Sequence, residues 1–250
     1  MGSIINSFDV KNTLCSLIWE NSDSTDFKQI KLKSDIRQNL LEIADLFIES
    51  FQLESEVEIE DIHLVGSIAN YNWSNYSDID LHVLIDKSKL ASNPSLVDEF
   101  LQAKKAIFND KHNFKIKGFD VELYAQDINE PIESKGIFSV LFNEWVSEPS
   151  NDTKEINKAS TIKKVKQFFS VFNAIQKLSD ANDKIRKIDQ LKDKIKKFRK
   201  AGLEKHGEYG VENLTFKYLR RTGYMENLND YKYSLIDKKL SVENQQVPGF

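Results

Sequence analysis

Apolar residues recur at three- and four-residue steps in Ile36, Leu40, Ile43, Ala44, Phe47, Ile48 and Phe51. That period predicts an amphipathic helix, entered at Ser34 as its N-cap. The period then shortens to two. Alternation over Ile62–Val65, Ile79–Ile85 and Phe119–Ala125 predicts three half-buried strands. Between the second and third, Leu96–Phe108 returns to helical spacing behind Asn93, Pro94 and Ser95. After about residue 152 only helical stripes remain. Val165, Phe168, Phe169, Phe172, Ile175 and Leu178 form one, and Ile185, Ile188, Leu191, Ile195 and Phe198 form another that stops before Gly202. A last helix is predicted over Val211–Arg221, ending at Gly223. The chain divides into a mixed α and β part, residues 1–150, and a helical part, residues 151–250, with Glu148–Asp152 as the boundary.

Composition narrows this picture. The 250 residues include only nine Gly and four Pro, which suits long helices. One cysteine, Cys15, leaves no internal disulfide and no cysteine cluster for structural zinc. No apolar run of about 18 residues occurs, and the opening MGSIINSFDV has neither a basic start nor an apolar core. Membrane insertion and secretion are not expected, and the cytoplasm is the natural setting. The net charge of −4 conceals an asymmetry. Residues 1–150 hold 13 Lys and Arg against 26 Asp and Glu, a net −13, whereas residues 151–250 hold 22 against 13, a net +9. An acidic front suits a metal and a basic rear suits a polyanion, although lysine-rich helices also cover surfaces that bind nothing.

The segment with chemical content is LVGSIANYNWSNYSDIDLHVLID, residues 64–86. Side chains two apart on a strand share a face, so Asp78 and Asp80 project together, opposite Ile79, Leu81, Val83 and Ile85. Neighbouring carboxylates raise each other's proton affinity unless a cation sits between them. Oxygen ligands of this kind suit Mg²⁺ or Mn²⁺. Gly66 and Ser67 end the preceding strand, with a helical stretch expected next. Glycine admits close approach, and free amides with the serine hydroxyl can donate to phosphate oxygens. On the third strand Asp120 and Glu122 share a face, and either supplies a third acid, with Asp120 preferred. Three acids on adjacent strands can hold two metals about a phosphate undergoing displacement, and Asp120 is placed to take the proton of the incoming hydroxyl.

Gly66-Ser67, ten intervening residues, Asp78-Ile79-Asp80 and a later strand acid together resemble the signature of the nucleotidyltransferase superfamily of DNA polymerase β and the tRNA CCA-adding enzymes. The resemblance implies an α+β nucleotidyltransferase fold, a small mixed sheet with flanking helices, followed by a C-terminal helical domain. It also implies Mg²⁺ or Mn²⁺ held by Asp78, Asp80 and Asp120, and an NTP whose triphosphate meets Gly66 and Ser67. The expected reaction moves an NMP from the NTP to an acceptor hydroxyl, on an RNA end, a protein or a small molecule, and releases pyrophosphate. Three further segments, SFDVKNTLCSLIWE, AQDINEPIESKGIFSV and VENLTFKYLRRTGY, resemble nucleotidyltransferase-like proteins of tailed bacteriophages, which would put the protein in a host cytoplasm. The alternatives are a module on the same fold that binds nucleic acid or protein without chemistry, and a synthase of an oligonucleotide or cyclic nucleotide signal.

Other residues carry weaker expectations. Lys217 and Arg221, four apart on the last predicted helix, can hold a triphosphate or an RNA backbone, or simply face water. Tyr71, Trp73 and Tyr76 either stack on a base or pack beneath the segment they belong to. His82 shares the acid face of its strand, while His63, His112 and His206 are too scattered to group.

Overall fold

A computed structural model describes residues 2–53, 57–91, 93–151 and 156–241. They form two compact units, one of Ser7–Thr153 and one that joins Met1–Asn6 to Lys154–Phe250. In chain order, a short helix α1 (Gly2–Asn6) precedes a two-stranded ladder, β1 (Trp19–Glu20) and β2 (Lys31–Leu32). Helix α2 (Ser34–Glu49) leads to β3 (Asp61–Val65) and β4 (Ile79–Ile85). Helix α3 (Pro94–Lys111) crosses to β5 (Lys115–Ile116) and β6 (Phe119–Asp127), followed by β7 (Ile137–Ser139) and β8 (Glu144–Ser147).

The larger sheet has the order β5-β6-β4-β3-β7-β8. Only β4 and β6 run parallel, because α3 returns the chain to the end from which β4 started. Along β4 the residues alternate between buried and half-buried: Ile79, Leu81, Val83 and Ile85 join the core, and Asp80, His82 and Leu84 face the other way. The apolar stripe of α2 (Ile36, Leu40, Ile43, Ala44, Phe47) and that of α3 (Val97, Leu101, Phe108) enter the same core. Each such side chain contributes roughly 1.5–3 kcal/mol by leaving water.

Several boundaries differ from those expected. Ser34 is the first helical residue of α2 rather than its cap, and Lys33 before it makes no side-chain capping hydrogen bond. Residues 66–70, expected to open a helix, form turns instead. Strands β1, β2, β5, β7 and β8, each four residues or fewer, carry too little alternation to be read from sequence. Lys117 (φ 51°) and Gly118 (φ 91°) make the two-residue turn that closes β5 onto β6, the backbone such hairpins require. Asp152, at the end of the expected boundary, lies outside the described residues.

The helical unit contains α4 (Lys158–Gln176), α5 (Ala181–His206), α6 (Val211–Arg221) and α7 (Tyr224–Leu240). Asn157 and Asp180 cap α4 and α5 by accepting from the Ser160 and Asp183 amides. Helix α5 runs past Gly202, where a stop was expected. A Cβ on that residue would lie 2.2 Å from the Cβ of Glu212 on α6, so the glycine serves helix packing rather than termination. The chain also continues beyond Gly223 into α7, a helix not foreseen, whose buried residues are only Tyr224 and Leu228. Tyr224 donates to the Phe168 carbonyl at 2.7 Å. No described helix is long and apolar enough to cross a membrane.

Candidate metal centre

The two ends of the sheet segment that matter here are the start of β4 and the middle of β6. Asp78 immediately precedes β4 and Asp80 is its second residue. The parallel register sets Asp80 beside Glu122, with Ile79 beside Val121. As a result Asp78, Asp80 and Glu122 each offer a carboxylate oxygen within 4.8 Å of the others, and they are the one such cluster among the described residues. Asp78 and Asp80 are half-buried and Glu122 is exposed.

Asp120 is not part of this group. It sits opposite Lys115 in the β5–β6 hairpin and is ion-paired with that lysine, both side chains being more than half exposed. Sequence parity places Asp120 and Glu122 on one face, but it is strand register that selects between them.

Gly66 belongs to this centre for a reason the sequence only half suggests. Its backbone has φ 71°, and a Cβ there would lie 1.9 Å from Oδ2 of Asp80. The residue is glycine because the carboxylate occupies the volume a side chain would take. The same arrangement suits a divalent cation. Three oxygen ligands converge, and the backbone beside them is bare, as a hard cation carrying phosphate oxygens requires.

The turn after Gly66 is pinned from several directions. The Ser67 hydroxyl donates to Ser77 Oγ at 2.7 Å, and the Ser74 amide donates to the same oxygen at 2.9 Å, which ties the turn to the residue just before Asp78. Asn70 donates to the Gly66 carbonyl at 2.6 Å and accepts from the Gly136 amide at 2.9 Å. Trp19 Nε1 donates to the Ile68 carbonyl at 2.9 Å, and the Lys11 amide donates to the Tyr71 carbonyl at 2.7 Å. Asn70 and Ser77 went unnoticed in the sequence, since lone polar residues in a polar stretch carry no pattern. Of the three aromatics, Tyr71 and Trp73 pack against the core, with Trp73 donating to the Thr13 carbonyl, and Tyr76 is 41% exposed.

A polar network occupies the same sheet face further along. His63 and His82 are cross-strand partners. His82 Nδ1 lies 2.5 Å from Gln126 Oε1, and the Gln126 amide donates to the Glu130 carbonyl, so the imidazole is the donor to Gln126. Burial pushes the His82 pKa down. His63 Nε2 donates to Asp61 at 2.8 Å, and Ser139 donates to the other Asp61 oxygen at 2.7 Å. Burial works against the Asp61 anion, but His63, Ser139 and the Ile62 amide outweigh it and hold that carboxyl below its ordinary value.

Lys217 and Arg221 lie one turn apart on α6, both half-buried. Burial pushes the Lys217 ammonium down from its usual range, Glu208 opposes this, and Arg221, Arg220 and Arg199 reinforce it.

Residues 45–146, from α2 into β8, match the family model of the nucleotidyltransferase domain. The match contains Gly66, Ser67, the three clustered carboxylates and Asp120. No curated protein and no solved structure matches the chain. The mixed sheet with its flanking helices, followed by a helical C-terminal region, is consistent with a nucleotidyltransferase fold.

Proposed function

We propose that this protein is a nucleotidyltransferase that moves a nucleoside monophosphate from an NTP to an acceptor hydroxyl, with Mg²⁺ or Mn²⁺ held by Asp78, Asp80 and Glu122. The observation that carries the reading is the convergence of those three carboxylates beside a glycine whose missing side chain leaves room for one of them.

A cation held by these carboxylates would supply positive charge against the phosphate oxygens while pyrophosphate leaves the α-phosphorus. The chain's own residues do the rest. Asp78 and Asp80, fixed at the head of β4, set where the triphosphate can sit. The turn at Gly66 and Ser67 presents backbone and hydroxyl donors to phosphate oxygens without a Cβ in the way. Glu122, the exposed member of the trio, is proposed to accept the proton from the attacking hydroxyl. Bond formation from that oxygen to the α-phosphorus then expels pyrophosphate. In this reading Glu122 takes the part expected of Asp120. Lys217 and Arg221 are proposed as phosphate-binding cations, with a rise in KM for NTP in K217M and R221M as the readout.

For the acceptor, the basic composition of residues 151–250 favours RNA over a small molecule. The test is incubation of the full chain with each radiolabelled NTP, Mg²⁺ or Mn²⁺ and short RNAs. Pyrophosphate release that vanishes in Asp80→Ala supports the assignment. Release with no RNA product moves the acceptor to protein or to a second NTP, and silence under every condition reduces the chain to a binding module on this fold.

A further inference from the structure

The helical unit leaves an apolar stripe open beside a row of lysines. Val171 and Ala174 on α4, and Leu178 two residues past its end, follow one another at three- and four-residue steps; Val171 is 41% exposed, Ala174 is exposed and Leu178 is half-buried. They form one wall of a hollow of about 400 Å³ whose other wall carries Lys187 and Lys194 of α5. A second hollow shares Lys194 and extends to Lys197 and Phe198, and the Lys164 ammonium lies 5.6 Å over the Phe198 ring at that end. The two hollows adjoin at Gln190 and Lys194, which line both, and are taken together as one groove.

A single exposed valine or a single surface lysine would mean nothing. Here the two patterns run side by side. Lys187 and Lys194 are two helical turns apart, about 10 Å along α5, and Lys197 follows one turn later. Among the described residues, none of Lys164, Lys187, Lys194 and Lys197 has a hydrogen bond or ion pair with another side chain. Asp193 is the only acid lining the groove. Lys187, Lys194 and Lys197 are therefore uncommitted, and Val171 and Ala174 opposite them are exposed.

We propose that this groove receives an acidic amphipathic helix from a partner protein, with apolar side chains against Val171, Ala174 and Leu178 and carboxylates facing Lys187, Lys194 and Lys197. Helix-in-groove recognition reads apolar anchors at i, i+3 or i+4 and i+7, which is the spacing of the wall. Acids two turns apart on such a helix meet Lys187 and Lys194 together. A nucleic acid would engage the lysines and leave Val171 and Leu178 wet, and a lipid surface needs a convex face rather than a hollow.

The probe is a fluorescein-labelled synthetic helix of about 20 residues, leucine on one face and glutamate on the flank. Two companions replace its leucines by serine or its glutamates by lysine. Anisotropy with the full chain should show the Leu/Glu peptide binding best. The pair Lys187→Glu and Lys194→Glu should weaken it about tenfold or more and transfer preference to the lysine peptide. Val171→Asp, at a position already open to solvent, should weaken both leucine peptides while circular dichroism stays unchanged. Equal binding of the serine peptide, indifference to the charge reversal, or displacement of the peptide by oligo(dT) or phosphatidylserine vesicles would overturn the proposal. So would self-association on sedimentation that Val171→Asp abolishes, since the occupant would then be a second copy of this chain.

Discussion

Gly66 and Asp80 compete for one volume: Oδ2 of the aspartate stands 1.9 Å from the point where a Cβ on residue 66 would be. Gly66→Ala must therefore push the carboxylate away, on top of the strain of an L side chain at φ 71°. A displacement of this size in a reacting centre costs about 100-fold in rate. We expect pyrophosphate release to fall by that order and Mn²⁺ binding by calorimetry to weaken in parallel, with the far-ultraviolet spectrum retained.

Glu122 and Asp120 are distinguished by strand register, and mutation separates them cleanly. Glu122→Gln should cut turnover about 100-fold or more, as loss of a group acting on developing charge does. Asp120→Asn removes only an exposed pair with Lys115, a contribution of under about 1 kcal/mol, and should leave turnover within about threefold. Equal losses in the two variants would return the third position to Asp120.

Asp61 accepts from His63, Ser139 and the Ile62 amide. Asp61→Ala would leave buried donors without partners and should cost about 2–4 kcal/mol in denaturant unfolding. The pH dependence has a definite sign. Because the folded-state pKa lies below the ordinary 3.8, the carboxylate's contribution is complete above that value and is lost as pH falls through the folded-state pKa. The stability gap between the native protein and Asp61→Asn should thus be constant at neutral pH and narrow below about pH 4.

Gly202→Ala pits two effects against each other. Alanine favours a helix over glycine by up to about 1 kcal/mol, but here its methyl would meet Cβ, Cγ and Cδ of Glu212 at 2.2, 2.6 and 3.0 Å. The nearest of those atoms is attached to the backbone of α6 and cannot swing aside. Overpacking of this kind costs about 1–3 kcal/mol, so the melting temperature should drop despite the better propensity.

The long strands and most helices could be read from the chain because β4, β6, α2 and α3 each repeat one period over five or more residues. Asp78, Asp80 and Gly66 stood out for the same reason, as a short pattern at a strand's end. The remainder depended on relationships no local window contains. That Glu122 and not Asp120 joins the carboxylate cluster follows from which residue of β6 faces Asp80, and Lys115 engages the other acid. Asn70 gains its role from Gly136, far along the chain. Gly202 looks like a helix stop until α6 is set against it. Helix α7 buries only Tyr224 and Leu228, so its stripe is too faint to register. Ser67 stands in a turn and not at a helix start, and its bond to Ser77 reaches ten residues along the chain.

The parallel pairing of β4 with β6 brings the three carboxylates together from strands separated by the whole of α3. An unfolded chain keeps Asp78 near Asp80 but not Glu122, so a divalent ion that needs all three carboxylates should favour the folded molecules. By mass action, an ion at a hundred times its dissociation constant should raise the unfolding free energy by about 2.7 kcal/mol. Thermal melts against Mg²⁺, Mn²⁺ or Ca²⁺ thus report whether the carboxylates are assembled without any knowledge of the acceptor.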